Sequence, residues 1–188
     1  MKVLVTGGGG FIGSHLVETL LDQDFEVRAL TRYHDFNIEH LKANPKLEIA
    51  HGDIRFPNEC KEAVKGCDVV AHLAALISVD YSINNPRPFW DTNVGGTFNM
   101  LDASLTEDVD KFIYMSSCEI LGNIIEGKAN ENYPIRLPRS PYAASKHAAE
   151  LYCQSYFCTY GFPVVIIRGF NVFGPRQKSG ERGAVIPT

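Results

Sequence analysis

Apolar and polar positions change period several times along the chain, and each change marks an element. Lys2–Thr6 is a short Val-rich run that predicts a strand buried on both faces. The glycines at 7–10 break it, and Leu16, Leu20 and Leu21 then fall at helical spacing in a helix predicted over 14–23. Residues 27–30 and 47–50 read as the second and third strands, and Gly52-Asp53 follows the third. A modest helix over 58–65 stops at Gly66, and 68–73 is a fourth strand. Pro86 opens a helix that runs through Val94, Phe98, Leu101 and Leu105. A fifth strand covers 111–115, and 122–138 is a polar loop. The next helix begins near Ser140-Pro141 and continues to Tyr160, where Gly161 stops it. Residues 163–167 are the sixth strand, and 169–188 carry no period. Strands alternating with helices predict right-handed βαβ units in an α/β, doubly wound parallel sheet with helices on both faces.

Composition narrows this reading only a little. At 188 residues, with 45% hydrophobic and 21% charged positions, the chain is of ordinary globular character and has room for a core. The formal charge of −4, with Lys and Arg scattered, argues against nucleic acid and against an anionic membrane surface as partners. The longest apolar stretch, 69–77, is interrupted by His72 and is too short to span a bilayer. The chain opens directly into a strand with no signal-peptide pattern. Five cysteines without CxxC or zinc spacing read as reduced thiols, which gives a cytoplasmic expectation. Six histidines share no ligand spacing, so no metal is expected. Ser116 and Ser117 lie outside any nucleophile elbow, which leaves a hydrolase triad without support.

The chemistry lies in two places. Thr6 to Gly13 matches Gly8-x-Gly10-x-x-Gly13 and Gly7-x-x-Gly10-x-x-Gly13, between a strand and a helix. Glycines there permit a tight turn and a close backbone approach, so that a pyrophosphate can sit at the positive helix end. Where a ribose-binding acid is expected, at the end of the second strand, the chain has Thr31-Arg32. Arg32 suits a 2′-phosphate, which leans the cofactor from NAD towards NADP. Far downstream, Tyr142 and Lys146 lie one turn apart on one helix face. A nearby ammonium, and the positive nicotinamide ring of the oxidised cofactor, are expected to lower the phenol pKa, so that the phenolate serves as a general base at a sugar hydroxyl.

With these residues, Asp53-Ile54, His72-Leu-Ala-Ala75, Asp91 to Thr97, Ser116-Ser117 and Phe170-Asn171 resemble the extended short-chain dehydrogenase/reductases. More narrowly, they resemble the nucleotide-sugar epimerases and dehydratases. The resemblance implies a Rossmann-type domain over 1–168 and only the start of a small substrate-binding region over 169–188. It also implies a nucleotide-diphosphate sugar as substrate, with bound NAD(P) taking hydride from sugar C4 and returning it. By the same resemblance Gly7, Gly10 and Gly13 hold the pyrophosphate, with Phe11 and Ile12 in the same turn. Asp53 and Ile54 flank the adenine, and Leu73, Ala74, Ala75, Asn93 and Phe170 lie near the cofactor. Tyr142 is the base, Lys146 binds the nicotinamide ribose, Ser117 bonds the C4 oxygen, and Asn171 meets the substrate diphosphate. A homodimer through helices near 86–106 and 140–160 is implied as well.

The chain departs from the family pattern in two positions. In Ser116 to Gly122, Leu121 stands where the family carries a tyrosine, and Cys118 stands where hexose dehydratases carry an aspartate. Glu119 is present, as in sugar 4,6-dehydratases, where a carboxylate abstracts the C5 proton acidified by the 4-ketone. The reading therefore leans to a 4,6-dehydratase. A 4-epimerase with Glu119 as bystander, and a non-catalytic NAD(P)-binding fragment, are the alternatives. Stretches of 72–82 and 173–187 resemble nucleotide-N-acetylaminosugar dehydratases, whereas Thr31 to Tyr33 and parts of 36–41 resemble the NADP-using GDP-mannose dehydratases.

Overall fold

A computed structural model describes residues 1–125 and 127–177. The stretch 178–188, which includes the run Ala184 to Pro187 and most of the expected second region, lies outside the described residues.

Six strands form one parallel sheet: β1 (Lys2–Thr6), β2 (Glu26–Thr31), β3 (Leu47–His51), β4 (Val69–His72), β5 (Lys111–Ser117) and β6 (Val164–Gly169). Their order is β3-β2-β1-β4-β5-β6, so the chain reverses direction across the sheet between β1 and β4. That reversal opens a crevice at the carboxyl ends of the strands, the usual ligand position in such sheets.

Side chains along a strand point alternately to the two faces, and both faces are clothed. Val3, Val5, Val27, Ala29 and Ala71 pack with Val17 and Leu21 of α1 (Phe11–Asp22) and with Ile38 of a 3-10 turn at Phe36–Leu41. Leu4, Leu30, Val70, Phe112 and Tyr114 form the other core, with α2 (Pro57–Val64), α5 (Gly96–Thr106) and α6 (Pro141–Tyr160). In this second layer Glu150, fully buried on α6, holds the Arg168 guanidinium of β6 at 2.9 Å.

Several predicted boundaries shift. α1 starts at Phe11 rather than 14, because Gly10 already serves as the N-cap. α2 starts at Pro57, whose fixed φ suits a first helical position. β6 extends to Gly169, since Ser116 and Ser117 of β5 pair with Arg168 and Gly169.

The helix expected from Pro86 is three pieces: α4 (Pro86–Phe89), a π-helical turn at Trp90–Gly95, and α5. Ahead of it stands α3 (Val79–Asn84), a helix of six residues that the period analysis does not predict. Its signal is the cap, since Ser78 Oγ accepts from Tyr81 N–H at 3.2 Å.

Candidate active site

The glycine turn is shaped by its own backbone. Gly10 N–H donates to the Gly7 carbonyl at 2.9 Å, and Ser14 N–H donates to the Gly10 carbonyl at 3.0 Å. A Cβ on Gly13 would run into the Gly7 carbonyl oxygen, so this approach requires glycine. The N-cap Gly10 has no side chain to satisfy the first amides of α1, and no acidic residue stands in that turn. Those amides, with Phe11 and Ile12 beside them, are open to an anion. The turn therefore fits the pyrophosphate of a dinucleotide.

The loop after β4 is drawn against this turn by Thr6. Its Oγ1 accepts from Leu73 N–H at 3.1 Å and Ala74 N–H at 3.0 Å, which leaves 73–75 half-buried. His72 lies 2.8 Å from Thr6 Oγ1 through Nδ1 and 3.1 Å from Thr97 Oγ1 through Nε2. Burial, helped by the charge of Lys146, pushes the His72 pKa down to about 3. Asn93, from the π turn, is 1% exposed. Its Oδ1 accepts from Leu76 N–H at 2.8 Å, and its Nδ2 donates to the Leu76 carbonyl at 3.0 Å and to Ser145 Oγ at 2.9 Å. Its amide fastens the loop to α6 and faces no open space.

At the ends of β2 and β3, two arginines share one acid. Arg32 Nε lies 2.8 Å and Arg55 Nη2 2.6 Å from Asp53 Oδ2, and the Arg32 guanidinium also sits 4.4 Å above the Tyr33 ring. Burial alone would raise the Asp53 carboxyl, but hydrogen bonds from Arg55 and the charge of Arg32 outweigh it and hold the group below its usual range. Ile54 is buried and packs on Gly96.

Tyr142 and Lys146 belong to the first turns of α6. Ser140 caps that helix by accepting from Ala143 N–H at 3.0 Å, and Ser82 Oγ of α3 receives Tyr142 N–H at 3.1 Å. Both side chains are buried, and the Tyr142 phenol comes close enough to Ser117, at the end of β5, for that side chain to act on it. Ser116, by contrast, has its hydroxyl buried without a partner among the described residues.

One expectation is corrected here. In the chain without cofactor, burial pushes the Tyr142 phenol above its ordinary range, against the lowering influence of the Ser117 side chain. The Lys146 ammonium does not offset this, because Nζ donates to the Met115 carbonyl at 2.6 Å and lies 4.5 Å from the Tyr114 ring centroid. Burial also drives Lys146 down to about 7, weakening its positive charge near neutrality.

Glu119 is exposed on the 3-10 turn Cys118–Leu121, and its N–H donates to Ser117 Oγ at 3.2 Å. Its charge is among those acting on Tyr142. Burial raises the Cys118 thiol, with Glu119 adding to the effect. Leu121 is buried. Phe170 and Asn171 follow β6 at the same edge of the sheet and are exposed. Sequence reasoning missed Ser82, Thr97, Tyr114 and Ser145, whose small or apolar-looking motif positions carry no signal of their own. Among the described residues no group of three His, Cys, Asp or Glu is placed to hold a metal.

A family model described as the NAD dependent epimerase/dehydratase family matches residues 3–188. The low-salt glycan biosynthesis protein Agl12 of Haloferax volcanii is 42% identical over 182 residues, covering 94% of this chain and 58% of that protein. The dTDP-glucose 4,6-dehydratase DesIV of Streptomyces venezuelae, solved with NAD bound, superposes with a TM-score of 0.89 at 38% identity, covering 94% of this chain and 58% of that one. The UDP-glucose 4-epimerase of Thermus thermophilus, in complex with NAD, gives 0.87 at 38% identity, covering 97% and 59%. The chain thus spans less than two thirds of the length of these relatives.

Proposed function

Because the chain belongs to the NAD-dependent epimerase/dehydratase family, we propose that it forms the cofactor-binding and catalytic half of an enzyme that oxidises a nucleotide-diphosphate sugar transiently at C4. The observation that carries this is the buried Tyr142 phenol within reach of Ser117, with Lys146 one turn on, at the same carboxyl edge of the sheet as a turn that fits a pyrophosphate. When bound, the dinucleotide supplies the hydride acceptor and donor. Tyr142 Oη takes the proton of the sugar 4-hydroxyl, and Ser117 Oγ holds that oxygen. Lys146, seated on the Met115 carbonyl, would hold the nicotinamide ribose. Gly7, Gly10 and Gly13 hold the pyrophosphate, and Asn171 meets the substrate diphosphate.

Glu119 gives the dehydratase reading its support. Glu119, two residues beyond Ser117 and near enough for its charge to act on Tyr142, would take the C5 proton of a 4-keto sugar and deliver it to the hydroxyl leaving C6, so that one water departs. The epimerase reading is favoured by Cys118, a thiol that burial keeps protonated where hexose dehydratases carry an acid. Mass spectrometry of UDP-, GDP- and dTDP-sugars incubated with the chain and NAD+ separates them. Loss of one water supports the dehydratase, and an isomer of unchanged mass supports the epimerase. Cofactor binding with no turnover would leave a binding fragment. Tyr142→Phe is expected to abolish oxidation and spare cofactor binding, and Glu119→Gln to stop elimination alone.

NAD is the cofactor we favour. Arg32, the residue that leans towards NADP, is engaged by Asp53, so a 2′-phosphate would have to compete with a carboxylate for it. Titration is expected to give tighter binding of NAD+ than NADP+, and Asp53→Asn to narrow the difference. We further propose a homodimer, since Trp90, Phe98, Leu151 and Tyr152 leave an apolar face exposed on the π turn, α5 and α6. A cytoplasmic location rests on five unpaired cysteines. The division into 1–168 and 169–188 belongs to the same reading.

A further inference from the structure

The end of the described chain returns to its beginning. Arg176 lies 161 residues beyond His15, yet its Nη2 donates to His15 Nδ1 at 2.7 Å. The same nitrogen meets Glu18 Oε2 at 2.5 Å, and Nη1 donates to the Asn37 carbonyl at 3.2 Å. A second tie runs one residue earlier, where His15 Nε2 lies 2.9 Å from the Pro175 carbonyl oxygen. Arg176 holds φ at 69°, a left-handed conformation that strains a residue bearing a Cβ and persists only where the surroundings impose it. Here two separate elements, α1 and the 3-10 turn at Phe36–Leu41, impose it.

What these contacts hold is the glycine turn. Asn37, whose carbonyl receives Arg176, gives its own Nδ2 to the Gly9 carbonyl at 3.0 Å. His15 packs edge-on against Phe11 with ring centroids 5.8 Å apart, and Gly174 passes beside the same Phe11 ring. Residues 174–176 therefore form a strap along the side of the turn and of the first two turns of α1.

The protons along the strap can be assigned. A guanidinium only donates, so His15 Nδ1 accepts from Arg176, and the imidazole proton sits on Nε2 and goes to Pro175. Only the neutral ring serves both partners. Glu18, one turn along α1, also holds His40 of the 3-10 turn.

We propose that Arg176 is a positioning residue for the dinucleotide, bracing the glycine turn from outside through Asn37 and His15. The proposal rests on the cofactor reading above. Its test combines NAD+ titration calorimetry with amide hydrogen exchange of residues 7–13 in the chain without ligand. Arg176→Ala is expected to weaken NAD+ binding about tenfold and to speed exchange about tenfold in the turn and the start of α1, the loss of a charged hydrogen bond. His15→Gln, whose amide can accept from Arg176 and donate to Pro175, should bind NAD+ as the wild type does. A merely structural role would lower the melting midpoint and leave affinity and exchange pattern unchanged. Arg176→Ala with wild-type affinity and exchange would overturn the brace. A wild-type chain that binds neither NAD+ nor NADP+ would overturn the cofactor reading and this inference with it.

Discussion

Two buried bases govern how the molecule responds to acid. His72 is held neutral, with a folded pKa of about 3 against 6.5 for the free side chain. The unfolded chain therefore takes up a proton that the folded chain refuses, and stability is lost as pH falls from about 6.5 towards about 3. Lys146 acts in the same sense higher up: its folded value of about 7 lies below 10.5, so stability declines as pH falls from about 10.5 to about 7. Each unit of difference corresponds to roughly 1.4 kcal/mol. Denaturant midpoints measured against pH should rise from acid to alkali over both intervals. His72→Gln should flatten the lower interval and Lys146→Met the upper one. At this scale the sequence revealed the reactive groups, because Tyr142, Lys146, Ser117 and the glycines are tied to chemistry by residue type and spacing. It did not reveal their electrostatics. Whether an ammonium faces a phenol or a carbonyl is decided by packing, and Lys146 lies on Met115 and Tyr114, two β5 residues that carry no motif.

Among the elements, α6 has the strongest local signals and carries the reacting groups. Ser140 caps its start, Pro141 occupies its first position, and Gly161 ends it with φ at 67°. Ser140→Ala should cost about 1 kcal/mol by removing the cap. Gly161→Ala should cost a further ~1 kcal/mol through the left-handed backbone. Chemical denaturation of the two variants and their double would measure both, with additive losses because the ends lie far apart. The strands were equally legible, since runs buried on both faces have an apolar composition that surface segments lack. The pieces before α5 were not. Apolar spacing through Val94, Phe98 and Leu101 fits a continuous helix, and the π turn alters hydrogen-bond partners without changing composition. α3 is too short to display a period.

For the molecule as a whole, the exposed aromatic and aliphatic face of α5 and α6 carries the expectation about assembly. Trp90 is 56% and Leu151 53% exposed, and Phe98 meets Tyr152 edge-on at 5.7 Å without either being buried. Sedimentation should find a dimer, and Leu151→Arg should convert it to monomer while leaving NAD+ affinity within about twofold, since that face lies away from the glycine turn. The π turn at Trp90–Gly95 bears on this face in another way. A helix advances about 100° per residue, so one residue accommodated in a wider turn shifts everything downstream in phase. The turn is thus a vernier: it lets Asn93 keep its bearing on Leu76 and Ser145 while Phe98 swings to the outside and Met100 and Leu101 to the core. Deleting a single residue there would turn the whole downstream helix by about 100°, carrying core positions towards solvent and misdirecting the site and the contact face at once.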